Sequence, residues 1–163
     1  MLEENGSGMD GLELEGVRPT AGQMVRAREA ERLAVIDRVT RWGANRSDVV
    51  GVLLVGSCAR GTARPESDVD LVVLTTDPSG YGEGGAWLRE LSLGEVVRVR
   101  EWGPVTEWRH ATASGLEVEV GITSTNWARR DPVDAGTRAV VVDGARPLYD
   151  PAGLLGALIG VCG

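Results

Sequence analysis

One stretch of the sequence narrows the fold more than any other. It begins as an apolar run, Leu53-Leu54-Val55, and closes on Gly56-Ser57; a loop of small residues and arginines follows, and Ser67-Asp68-Val69-Asp70 opens a second apolar run to Leu74. Strand side chains alternate, so Asp68 and Asp70 share one face while Val69 and Leu71 share the other. Adjacent carboxylates repel, and burial increases the cost. A divalent cation removes it, and hard oxygen donors at this spacing suit Mg²⁺, which binds through one or two carboxylates together with phosphate oxygens. Gly56 lets backbone approach a ligand closely, and Ser57 supplies a hydroxyl. Arg60 and Arg64 lie near enough to reach a phosphate.

Length and charge bound the rest. A chain of 163 residues builds one domain with a real core. Residues 1–18 are rich in Gly and Glu without a sustained period and read as a flexible tail, leaving 19–163 as the folded domain. The net charge of −7 argues against general affinity for DNA backbones. All seventeen basic residues are arginine, which reads as compositional bias. No apolar run is long enough to span a membrane, and no signal pattern opens the chain, so a cytoplasmic location is expected. Cys58 and Cys162 have no metal-ligand spacing, and the lone His110 reads as structural.

Thr20 and Gln23 form a capping-box pattern ahead of a helix to about Trp42, ended by Gly43. Its apolar side is expected to carry Met24, Val25, Leu33, Val35, Ile36, Val39 and Trp42. Strands are expected at 48–55, 67–75, 96–100, 105–112 and 116–123, the last two joined by a turn at Ala113-Ser114-Gly115. A helical turn is expected over Ala86–Leu91. Arg138–Asp143 reads as a short strand, and a helix holding Leu154, Leu155, Leu158 and Ile159 follows. These elements imply a mixed α+β architecture, a mixed sheet with helices packed mainly on one face and the active site on the open face.

The conjunction of strand, Gly56-Ser57, Ser67-Asp68-Val69-Asp70 beginning ten positions on from Ser57, and strand resembles the signature of the nucleotidyltransferase superfamily with the DNA polymerase beta-like fold. Among its members it is most similar to the bacterial minimal nucleotidyltransferases and the aminoglycoside adenylyltransferases. The resemblance implies a metal-dependent enzyme that moves a nucleoside monophosphate, expected to be AMP from ATP, to an acceptor hydroxyl and releases pyrophosphate. It implies two Mg²⁺ ions on Asp68 and Asp70, with a third carboxylate mid-strand that binds one ion and takes the proton. Glu119 matches that position best, although the family more often has Asp there and Glu117 lies on the same face. The resemblance further gives Gly56 and Ser57, with Ser67, to the phosphates. The acceptor stays open between protein, RNA and small molecule, and a second copy or a small helical partner protein could complete its pocket. The alternative is a nucleotide-binding or antitoxin-like protein that does not catalyse.

Overall fold

The computed structural model describes residues 16–163; most of the tail assigned from the sequence lies outside them. Helix α1 (Ala21–Ala44) begins at a capping box in which the Thr20 hydroxyl accepts from Gln23 N–H and the Gln23 side chain accepts from Thr20 N–H. Strand β1 (Val49–Val55) runs into a five-residue helix, α2 (Gly56–Arg60), and β2 (Val69–Thr75) follows. Helix α3 (Ala86–Leu91) leads to β3 (Glu95–Trp102), β4 (Val105–Ala111) and β5 (Glu117–Ser124). Helix α4 (Ala135–Asp143), strand β6 (Ala145–Tyr149) and helix α5 (Leu154–Cys162) complete the order.

The six strands form one sheet in the order β3-β4-β5-β2-β1-β6. Only β2 and β5 pair in parallel; every other pairing is antiparallel. The α+β mixed sheet expected from the sequence is therefore present. Alternation along β2 sends Val69, Leu71 and Val73 into a core with Val35, Val39 and Trp42 of α1 and Trp87 of α3. Val72 and Leu74 point the other way, into a second core with Trp127, Val141, Leu155 and Leu158. Asp70 belongs to that second face. Helices α4 and α5 thus cover one end of it, and the remainder lies open beside β5 and the β3–β4 turn.

Three local expectations are corrected. Arg138–Asp143 is helical, within α4, because the Asp134 carboxylate accepts from the N–H groups of Gly136 and Thr137 and starts a helix. Such a cap outweighs the strand preference of Val140-Val141-Val142. The strand lies one step later, where Ala145–Tyr149 adds to the edge at β1. Gly43 does not end α1: a Cβ there would come within 2.7 Å of Val52 Cγ2, so the glycine allows close packing of the helix on β1. Met24, Val25 and Leu33 are 60%, 45% and 60% exposed: the buried residues of α1 begin only at Arg32, beyond Met24 and Val25, and Leu33 lies off the face that Arg32, Val35, Val39 and Trp42 bury.

Candidate active site

Parallel pairing of β2 with β5 sets Asp70 opposite Glu119. Both side chains face a cavity of about 390 Å³, walled by Trp102 and Val105 on one side and Trp127 and Val140 on the other. Burial pushes the Asp70 carboxyl up to about 7, the negative charges of Glu119 and Asp68 push the same way, and Arg109 only partly offsets them. Glu107, on the same wall, is also shifted upward, by burial and by the charge of Glu119. None of the ion pairs among the described residues includes Asp70.

Asp68 lies just ahead of β2 and meets a cation. Arg109 of β4 donates through Nη1 to Asp68 Oδ2 at 3.0 Å and through Nη2 to Glu119 Oε1 at 3.1 Å, and it also bonds Glu117. Burial works against its charge, but the Glu117 bond and the charges of Glu119 and Asp68 outweigh it and hold its pKa above the ordinary arginine value. Arg98 of β3 adds a longer contact to Glu119, 3.4 Å. Glu117 sits two residues from Glu119 on the same face, one residue before the first β2–β5 pair, Val69–Val118, and is 42% exposed against 17% for Glu119.

The Gly56-Ser57 turn lies against Asp70. Gly56 has φ +73°, and a Cβ on it would stand 3.0 Å from Asp70 Oδ2. The turn is held by the residue that follows α4: Gly56 N–H donates to Gly144 O at 3.2 Å. The remaining phosphate-contact candidates lie around this turn and are not among the residues lining the cavity. Arg60 donates to the carbonyl and carboxylate of Asp143, at 2.9 and 2.8 Å, and Asp143 itself lines the cavity. Ser57 follows Gly56 at the start of α2. Ser67 Oγ accepts from Arg64 N–H at 2.8 Å, which closes the loop ahead of Asp68. That loop is fixed from α1 by buried Arg32, whose guanidinium donates to the carbonyls of Arg64 and Ser67.

Sequence reasoning missed Arg109, Arg32 and the α4 wall. Arg109 was within reach. Leu116 O accepts from Thr112 N–H across the β4–β5 turn, and counting outward from that pair sets Arg109 opposite Glu119. Arg32 gives no such signal, since its partners are backbone carbonyls far along the chain.

The donor set suits a hard divalent cation: three carboxylates on one face, one of them half-buried with a raised pKa and, among the described residues, no ion-pair partner. Among the described residues no three His, Cys, Asp or Glu side chains already form a metal-binding group.

A profile of the nucleotidyltransferase domain matches residues 38–123, from the last two turns of α1 to the end of β5. The match spans more than half of the chain, and the chain belongs to the nucleotidyltransferase domain family. Among solved structures it is similar to a chain described under "Structure and function of the polymerase core of TRAMP, a RNA surveillance complex", with 19% identity and a TM-score of 0.38. That likeness covers 63% of this chain and 32% of the other, so the chain spans about a third of the length of that solved chain. No curated protein matches it.

Proposed function

We propose that this protein transfers a nucleoside monophosphate, AMP from ATP, to an acceptor hydroxyl. Asp68, Asp70 and Glu119 would hold two Mg²⁺ ions. When bound, such ions neutralise the triphosphate and acidify the attacking hydroxyl. The observation that carries the reading is the β2–β5 register, which sets Asp70 beside Glu119 two residues after Asp68. The acceptor oxygen forms a bond to the α-phosphorus while the bond to the bridging oxygen breaks. Pyrophosphate leaves with that electron pair, and the hydroxyl proton passes to a carboxylate oxygen of Glu119.

Other side chains serve binding. Gly56 brings backbone beside Asp70, and Ser57 donates its hydroxyl to a phosphate oxygen. Arg60, Arg64 and Ser67 shape the loop on the phosphate side. Trp102 and Trp127 offer apolar walls for a base and exclude water from the reacting centre. A homodimer or a small helical partner would complete an acceptor pocket on the open part of the face. No helix of the described residues is long and apolar enough to cross a membrane.

The test is incubation with each of the four α-labelled nucleoside triphosphates and Mg²⁺, alone and with fractionated protein, RNA and small molecules. Label transferred from ATP to one fraction, with pyrophosphate released, supports the reading. No transfer from any nucleotide to any fraction contradicts it and leaves a nucleotide-binding protein on a transferase fold.

A further inference from the structure

We propose that Arg109 is a built-in competitor for the cation, a latch that holds Asp68 and Glu119 until a divalent metal displaces it onto Glu117. The inference rests on the reading of Asp68, Asp70 and Glu119 as the metal ligands. One guanidinium spans all three of its carboxylates: Nη1 meets Asp68 at 3.0 Å and also Glu117, and Nη2 meets Glu119 at 3.1 Å. The side chain is only 19% exposed, so these contacts are poorly screened by water and salt. Its Nε is buried without a hydrogen-bond partner, so Arg109 is held through its terminal nitrogens, and those bonds run to carboxylates.

Two of these carboxylates belong to the proposed ligand set, and the third does not. Glu117 pairs with Ala111 rather than with Arg109 across the β4–β5 hairpin, stands one alternate position from Glu119 and is 42% exposed. It is placed to keep Arg109 when Asp68 and Glu119 are taken. Arginine has five N–H donors in a fixed fork and stays charged throughout, so it can give up two carboxylates and keep the third without a proton changing hands. The face then carries a counter-charge in both states: Arg109 alone without metal, and the metal with Arg109 moved aside when it binds.

The test is Mn²⁺ titrated into the full chain without nucleotide, read by calorimetry and by thermal shift. Arg109→Gln is expected to lower the Mn²⁺ dissociation constant about tenfold, the factor that ~1.4 kcal/mol gives, and to lower the melting temperature only when metal is absent. Glu117→Gln removes the second position for Arg109 and is expected to raise the dissociation constant. Mn²⁺ bound by Arg109→Gln no more tightly than by the natural chain overturns the latch. Should Arg109→Gln fail to fold, Arg109→Lys replaces the fork by a single ammonium, and a smaller gain in affinity is expected; an equal or weaker affinity overturns the proposal. Mn²⁺ bound by neither the natural chain nor folded Arg109→Gln overturns the reading of these carboxylates as metal ligands and the latch with it, whereas Mn²⁺ binding that both variants leave unchanged overturns the latch alone.

Discussion

Asp70 and Glu119 are register partners on adjacent parallel strands, with side chains on the same face of the sheet. Neighbouring strands lie about 4.8 Å apart, so the two carboxylates are held together by backbone hydrogen bonds rather than by any attraction between them. Hydrophobic residues on the opposite face, Val69, Leu71, Val118 and Val120, fix the strands in place. The energy of that core is what keeps two like charges side by side.

Asp70 makes the metal-free protein sensitive to pH. Its carboxyl is pushed up to about 7 in the folded chain by burial first and then by Glu119 and Asp68. The folded state therefore holds this proton more tightly than the unfolded state. The contribution to stability is complete below the unfolded carboxylate value and is lost as pH rises through about 7. Asp70→Asn is expected to raise the melting temperature at pH 8, by about 2–4 °C for each kcal/mol regained in a chain of this size, and to change it little at pH 4. Calorimetric scans of both proteins across that range check the sign.

Glu119 is the expected proton acceptor. Glu119→Gln is expected to reduce turnover by about 10²–10⁴-fold, the usual worth of general-base catalysis, and to leave Mg·ATP binding through Asp68 and Asp70 in place. Glu117→Gln is expected to act only through metal affinity, so excess Mg²⁺ should restore its rate. Steady-state kinetics over a Mg²⁺ series distinguish the two, and the reverse ranking would move the base to Glu117.

Much of this arrangement is legible in the chain itself. Gly56-Ser57, the Asp68-Val69-Asp70 alternation and the clean period of Leu116–Ile122 identify the sheet face and its acids without coordinates. The parallel β2–β5 register is not legible, because nothing local to either strand says how far it slides along the other. Arg60 illustrates a second limit: its charge suggests a phosphate, yet the fold brings Asp143 of α4 to it, and α4 itself is concealed by a β-branched run behind the Asp134 cap. The exposure of Met24 has a similar origin, since amphipathic spacing gives the apolar side of a helix but not how much of its length meets the sheet, and Leu33 shows that a broad apolar side need not be buried across its whole width.

Two glycines separate backbone strain from crowding at the site. Gly56 and Gly61 both have φ +73°, but a Cβ on Gly61 meets nothing within 4 Å whereas one on Gly56 lies 3.0 Å from Asp70 Oδ2. Each alanine variant is expected to lose about 1–2 kcal/mol from the left-handed conformation. Gly56→Ala alone is expected to weaken Mg·ATP binding as well. Denaturant unfolding and calorimetry on the pair test both parts.

His110 is 1% exposed and neither ring nitrogen finds a side-chain hydrogen-bond partner. Burial lowers its pKa despite a backbone contact at Gly94. With the folded value depressed, the unfolded chain takes up the proton first, so this contribution to stability is present above the unfolded histidine value, about 6.5, and is lost as pH falls below it. His110→Leu is expected to flatten the loss of stability between pH 7 and pH 5, as urea midpoints at each pH would show.

The most direct measurement is calorimetric titration of Mg·ATP into the natural chain and into Asp68→Ala and Asp70→Ala. The account predicts saturable, Mg²⁺-dependent binding by the natural chain and its loss in both variants, with the far-UV spectrum and cooperative unfolding preserved. Unchanged Mg·ATP binding in folded Asp68→Ala and Asp70→Ala would contradict it, because the nucleotide would then lie away from the acids on which the proposed transfer depends.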